Sequence, residues 1–211
     1  MNALPRLHAV TDARILALPD LAARASRLAA GAGPALAFHV RDRALPGREL
    51  LQRAQLLGSV AQAAGASLVL NARADIARAA GATGLQLGQL DLSPGEARAV
   101  LGAGWGGRIG VSVHGTAEAA AATAAGADWL LLGNIFPTAS HPGRPGLGLA
   151  ALEMIAAGPC PVIAIGGITP EAVADVHRAG AFGIAAISAL WDAADPAAAA
   201  TAMLAPWREA A

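Results

Sequence analysis

Eight short apolar runs recur along the chain, at 7–12, 36–42, 68–71, 84–88, 108–114, 128–134, 160–167 and 183–189. None alternates cleanly between apolar and polar positions. Each therefore reads as a strand covered on both faces, the pattern of a parallel sheet. Ala-rich stretches of helical period lie between them, clearest at 47–64, 94–103, 116–126 and 170–179. Ser93-Pro94 and Thr169-Pro170 each offer an N-cap followed by Pro at the first helical position, which predicts helix starts at 94 and 170. Eight such strand–helix units in 211 residues predict a single (β/α)8 TIM barrel spanning 1–211. A doubly wound sheet is the alternative. It expects a Gly-rich turn after the first strand, and "VTDARILALPD" has none. No linker, low-complexity segment or charge run divides the chain.

A barrel also predicts where chemistry sits, because the loops that follow the strands all open on one face. The polar residues embedded in the apolar runs fall at those ends: Thr11-Asp12, Arg41 to Arg43, Asn71 with Arg73, Gln89 with Asp91, Ser112 with His114, Asn134, and Ser188. Helix capping accounts for Thr11, Asp12 and Asp91. It does not account for paired Arg, Asn and His at one rim.

Two glycines, Gly166 and Gly167, follow the seventh strand and precede a helix, so their N–H groups suit an anion. Ser188 at the end of the eighth strand adds a hydroxyl beside them, and the loops after strands 7 and 8 are the usual phosphate site of such barrels. A second anion-friendly group is Arg41, Arg43 and Arg73 with Asn71, since guanidinium forks match phosphate or carboxylate oxygens. The alternative pairs Arg41 and Arg43 with Asp42 as a structural network. Asp91 is the one candidate metal ligand, and a single carboxylate makes a poor metal site. Acid–base candidates are His39, His114 and His141. His39 lies two residues before Arg41, so both share a face and point into the barrel. His8 and His177 read as structural. The segment "LLGNIFPTASHPGRPGLGL" (131–149) carries Thr138, Ser140 and His141 to meet a ligand, with Gly143 to Gly148 shaping the return.

Composition narrows the partners. The 15 basic and 15 acidic residues cancel, without a basic stripe or acidic tail, which excludes nucleic acid and anionic membrane as partners. Every basic residue is Arg, so any role that needs a lysine falls to Arg. The single Cys160 excludes an internal disulfide and a Cys-based zinc site. No signal peptide or membrane-length apolar run is read, so the expected location is the cytoplasm. Exposed Trp and Leu on the barrel helices leave room for a homo-oligomer.

The motifs "HAVTD", "FHVRDR", "LVLNAR", "GLQLGQLDLSP", "GVSVH", "ADWLLLGNIFPTASHPGRPGLGL" and "VIAIGGITPEAVADVHRAGAFGIAAISAL", in this order, resemble the thiamine-phosphate synthase and TenI-like family over nearly the whole chain. The resemblance implies a thiazole phosphate held near Gly166, Gly167, Ile187 and Ser188. In the synthases a hydroxymethylpyrimidine pyrophosphate is also bound, its carbocation is captured by the thiazole nitrogen, and pyrophosphate leaves with the help of Mg²⁺ and basic groups. Residues matching that half are Arg41, Asn71, Gln89, Asp91, Ser112 and Thr138, with Ser140 in the loop beside them and Arg43 keeping the charge of a lysine. The chain departs from the synthase pattern at His39 (Gln in synthases), Arg43 (Lys), Ala72 (a metal-binding Asp), Gln86 (His) and Leu90 (an acid). His39, Ala72 and Gln86 look similar to TenI-like members, whose tautomerases use a His at the end of strand 6. That position is Asn134 here, and an amide does not shuttle protons near neutral pH.

The expected function is therefore a TenI-like thiazole-phosphate binder of thiamine biosynthesis, acting as a tautomerase if His39, His114 or His141 replaces the missing base, with no cofactor. The alternatives are a Mg²⁺-dependent thiamine-phosphate synthase and a non-catalytic thiazole-phosphate carrier or regulator.

Overall fold

A computed structural model describes residues 3–138, 143 and 145–209. Among these the order is β1 (Leu7–Val10), α1 (Ala13–Leu16), α2 (Leu21–Ala32), β2 (Leu36–Val40), α3 (Gly47–Ala64), β3 (Ser67–Asn71), α4 (Ala74–Ala79), β4 (Gly84–Leu87), α5 (Pro94–Leu101), β5 (Arg108–Val113), α6 (Thr116–Ala124), β6 (Trp129–Gly133), α7 (Gly148–Ala156), β7 (Val162–Ile165), α8 (Val173–Arg178), β8 (Gly183–Ala186), α9 (Ser188–Trp191) and α10 (Pro196–Glu209). Each strand pairs in parallel with the next, and β8 pairs with β1, closing the (β/α)8 barrel. No helix among the described residues is long and apolar enough to cross a membrane.

Two apolar layers hold this together. The outer one lies between strands and helices: α3 turns Leu50, Ala54, Leu57 and Ala61 inward, one stripe at helical spacing, and α2 does the same with Leu21, Ala25, Leu28 and Ala32. The inner layer fills the barrel itself with Val10, Ala37, Val69, Trp129, Leu131, Ile163 and Ala185. Trp129 is the bulkiest of these, and it fits because β4 and β5 offer Gly84 and Gly110 beside it. A Cβ on Gly110 would overlap the indole ring, and one on Gly84 would lie 3.3 Å from it. Pairing one large side chain with two absent ones brings the interior to close packing.

Helix starts follow the expected chemistry at α5. Ser93 caps it, its hydroxyl accepting from the Glu96 amide while Glu96 accepts from the Ser93 amide at 2.8 Å, a reciprocal capping box. At α8 the expectation of a start at Pro170 is corrected. Residues 170–172 form a turn, closed by the Ala172 amide on the Thr169 carbonyl at 3.1 Å, and the helix begins at Val173. Thr169 thus precedes a turn rather than capping a helix.

Gly110→Ala forces a methyl group into the Trp129 ring. It is expected to destabilise the fold by at least the ~1–3 kcal/mol of an overpacked core, read as a lowered urea midpoint. An unchanged midpoint would show that Trp129 has another place to go.

Candidate active site

The strand ends bring most of the expected residues to one rim, and the interior beneath them is hydrogen-bonded. From β1, Thr11 ties the rim together: its hydroxyl donates to the His39 carbonyl at 2.9 Å and accepts from the Arg41 amide at 2.9 Å. Asp12 caps α1 through the Ile15 amide at 2.8 Å, as capping chemistry predicts.

β2 places His39 inside the barrel, fully buried, as its spacing from Arg41 implies. Its Nε2 lies 2.7 Å from His8 Nδ1 and its Nδ1 lies 3.3 Å from Asn71 Oδ1. His8, also fully buried, contacts the Pro5 carbonyl through Nε2 at 3.1 Å. Burial pushes His8 down to about 4, against the opposing pull of that carbonyl. Burial, and then the neighbouring His8 ring, push His39 well below the ordinary histidine value, partly opposed by Asn71. Both rings are therefore neutral at neutral pH. His8 was expected to be merely structural, and its contact with His39 crosses from one strand to the next.

Arg41 is half-buried and Arg43 exposed. Among the described residues neither forms an ion pair. The network with Asp42 is absent, because that carboxylate accepts instead from the amides of Ala44 and Leu45, at 2.7 and 3.0 Å. Arg73 is engaged with a neighbour: its fork is closed on Asp75, at 2.9 and 2.6 Å. Between Asn71 and Arg73, Ala72 adopts the left-handed conformation at φ 65°. Asn, Asp and Gly visit that region readily, whereas Ala pays about 1–2 kcal/mol there.

On β4, Gln86 is buried and its orientation follows from its neighbours. The Trp129 indole can only donate, so it fixes Gln86 Oε1 at 2.9 Å, and Gln86 Nε2 then donates to Ser112 Oγ at 3.1 Å and to the Leu87 carbonyl at 3.3 Å. Ser112 thereby accepts, and its own proton is left for another partner. Gln89 reaches across to donate to the Ser112 carbonyl. Asp91 is exposed and holds its own loop, one oxygen accepting from the Gly88 amide at 2.6 Å. No group of three His, Cys, Asp or Glu that could hold a metal ion occurs among the described residues.

His114 stands exposed beyond β5, and Glu118 holds it through both its amide (2.8 Å) and its Nδ1 (3.1 Å). Asn134 follows β6 across a cis peptide from Gly133. Its Nδ2 donates to the Phe136 carbonyl at 3.1 Å, so the side chain braces its own loop. That loop lies against the glycines after β7. The Ile135 and Phe136 amides donate to the Ile165 and Gly166 carbonyls at 2.9 and 3.0 Å. Gly166 and Gly167 have φ of 101° and 66°, and a Cβ on Gly166 would approach the Asn134 Cα to 2.7 Å. These glycines are thus required by the neighbouring loop as well as by any anion. Ile187 precedes α9, whose first residue is Ser188. Thr138 is half-buried at the end of the described part of the β6 loop, while Ser140, His141 and Arg144 lie outside the described residues.

Residues 7–190, from the start of β1 to the penultimate residue of α9, match the family model for thiamine monophosphate synthase. The chain belongs to that family. Similar members of the family are the thiamine-phosphate synthase of Methanoculleus marisnigri, 46% identical over 202 residues covering 93% of this chain and 92% of that one, and that of Moorella thermoacetica, 44% identical over 172 residues and 80% of each. Among solved structures, thiamine phosphate pyrophosphorylase from Pyrococcus furiosus superposes with a TM-score of 0.84 at 29% identity, covering 99% of this chain and 97% of that one.

Whatever its reaction, the barrel carries a pH liability. The neutral histidines of the native state are free to take protons at about pH 6.5 once unfolded, so stability is complete above that value and falls as the pH drops toward 4. His8 alone accounts for about 3 kcal/mol. Wild-type protein is expected to lose more stability between pH 7 and 4.5 than His8→Gln, measured by urea unfolding at each pH. Equal losses would show that the pair does not titrate in this window.

Proposed function

We propose that this protein is a thiamine-phosphate synthase, which joins a hydroxymethylpyrimidine pyrophosphate to a thiazole phosphate with release of pyrophosphate. This reverses the order expected from the sequence, where the TenI-like reading led. The relatives of 38–46% identity bear the synthase name, and the chain's own residues favour it as well. The observation that carries the reading is the two-sided mouth. Arg41 and Arg43, without ion pairs among the described residues, stand after β2 on one side of β1, and Gly166, Gly167, Ile187 and Ser188 stand after β7 and β8 on its other side. Two anion sites suit two phosphorylated substrates, and a tautomerase has only one to hold. Of the tautomerase's candidate bases among the described residues, Asn134 is an amide and His39 is buried with both ring nitrogens occupied, which leaves His114, exposed and held at Nδ1 by Glu118.

In this reading the guanidiniums of Arg41 and Arg43 neutralise the pyrophosphate as charge develops on the leaving group. Gln86 and Ser112 form the floor beneath the reacting carbon. The loop after β6, braced by Asn134, orients the thiazole, and its phosphate lies on the amides of Gly166, Gly167 and Ser188. Mg²⁺, when bound, would shield the leaving pyrophosphate. One carboxylate together with diphosphate oxygens is a set that this ion accepts. Asp91 would supply that carboxylate, since one of its two oxygens is engaged by Gly88.

The test is direct. Purified protein with both substrates and Mg²⁺ is expected to form thiamine phosphate, and the product should vanish on chelation. No product at high enzyme concentration would overturn the reading. Proton exchange into a carboxythiazole phosphate in deuterated buffer would instead support the TenI-like one, which Ala72 favours because it removes a metal carboxylate.

The left-handed backbone at Ala72 suits an aspartate, so Ala72→Asp should fold as well as the wild type. It should also lower the Mg²⁺ concentration for half-maximal rate by about tenfold, the worth of one additional charged ligand at ~1.4 kcal/mol. An unchanged Mg²⁺ dependence would place the metal away from β3.

A further inference from the structure

The buried chain from Pro5 to Asn71 contains three contacts: Pro5 carbonyl to His8, His8 to His39, and His39 to Asn71. Each needs one proton between its two heavy atoms. Two neutral imidazoles supply two protons, one each. The Pro5 carbonyl can only accept, so the His8 proton sits on Nε2. His8 Nδ1 is then a bare acceptor, which takes the proton of His39 Nε2. That leaves His39 Nδ1 bare, and the third proton must come from the only remaining donor, the NH₂ of Asn71. The two ends of an amide exchange by a half-turn about Cβ–Cγ, with every other heavy atom in place.

The other arrangements fail on burial. With the His39 proton on Nδ1 facing Asn71 Oδ1, His8 must carry its proton on Nδ1, and its Nε2 lone pair then opposes the Pro5 carbonyl at 3.1 Å, an unsatisfied contact in a fully buried place. A third ring proton would create an imidazolium in the barrel interior, which desolvation opposes.

We propose that His8 and the Pro5 carbonyl, at the far end of the barrel from the mouth, lock the Asn71 amide with its nitrogen toward His39 and its oxygen toward the mouth, where it accepts a hydrogen bond from the amino group of the pyrimidine substrate. The substrate in this statement rests on the synthase reading; the proton order does not. His8 is accordingly a positioning residue some two side chains removed from the ligand. An acceptor at Asn71 meets an N–H and turns away an anionic oxygen, so this position reads the pyrimidine ring, leaving the pyrophosphate to Arg41 and Arg43. Ser112, which accepts from Gln86, presents the opposite polarity on the neighbouring side of the floor.

Two measurements decide it. In ¹⁵N-labelled wild-type protein at pH 7.5, long-range proton–nitrogen correlation spectra should show both His8 and His39 as neutral Nε2–H tautomers; an Nδ1–H on His39 overturns the lock. In equilibrium binding, the wild type should prefer the pyrimidine pyrophosphate over its analogue with hydrogen in place of the amine by about tenfold in Kd, one hydrogen bond of ~1.4 kcal/mol. In His8→Leu that preference should fall to about twofold while KM for the thiazole phosphate holds, because the amide is free to turn. An equal preference in both proteins overturns the proposal. The tautomer spectrum needs no variant, so it decides even if His8→Leu fails to fold. Absence of product from the wild type counts against the synthase reading, whereas a His39 Nδ1–H in a protein that does form product counts against the lock alone.

Discussion

Closing eight strands leaves an interior only a few side chains wide, and in that space a polar atom must be matched by another or pay for its isolation. Most of the site follows from this constraint. Trp129 fills the interior because Gly84 and Gly110 leave it room, and its indole, a donor with no acceptor capacity, then dictates which way Gln86 lies and so what Ser112 can still offer. On the other side, the Pro5 carbonyl orders the protons of two histidines. The reactive rim is therefore assembled from below, by groups that never reach the ligand.

The rim divides into halves of different character. After β6 and β7 the two loops share main-chain hydrogen bonds and leave no space for a Cβ on Gly166. After β2, β3 and β4 the positions are held by side chains: Thr11 braces the backbone of β2, Asp42 and Asp91 each cap their own loops, and Arg73 is closed on Asp75. The departures from the synthase pattern, His39, Arg43, Ala72, Gln86 and Leu90, all fall in this second half. Gln86 and His39 each enter a hydrogen-bond chain, and Ala72 adopts a left-handed backbone that Asn, Asp or Gly takes more readily.

Much of this was legible in the chain. Strands buried on both faces announce themselves as unbroken apolar runs, so all eight were located, and the Ser93-Pro94-Gly95-Glu96 box marks its helix through local chemistry alone. Thr169-Pro170 misled because the same pair that opens a helix also opens a turn, and nothing in the neighbouring residues separates the two. Arg73 had its partner two residues away, a pairing that side-chain geometry decides. The role of His8 was out of reach, since it depends on strand register: β1 must slide against β2 until His8 and His39 meet across 31 positions of sequence.

The seam between the β6 and β7 loops also bears on how such a protein diversifies. A wall joined through main-chain atoms tolerates few substitutions, because a side chain added at Gly166 or Gly167 collides with backbone before it can meet a ligand. A wall joined through side chains can be rewritten one residue at a time. Substitutions can therefore accumulate on the β2–β4 side of the rim while the glycine seam stays unchanged, and a designer wanting this barrel to take a different ligand would randomise that side and leave the seam alone.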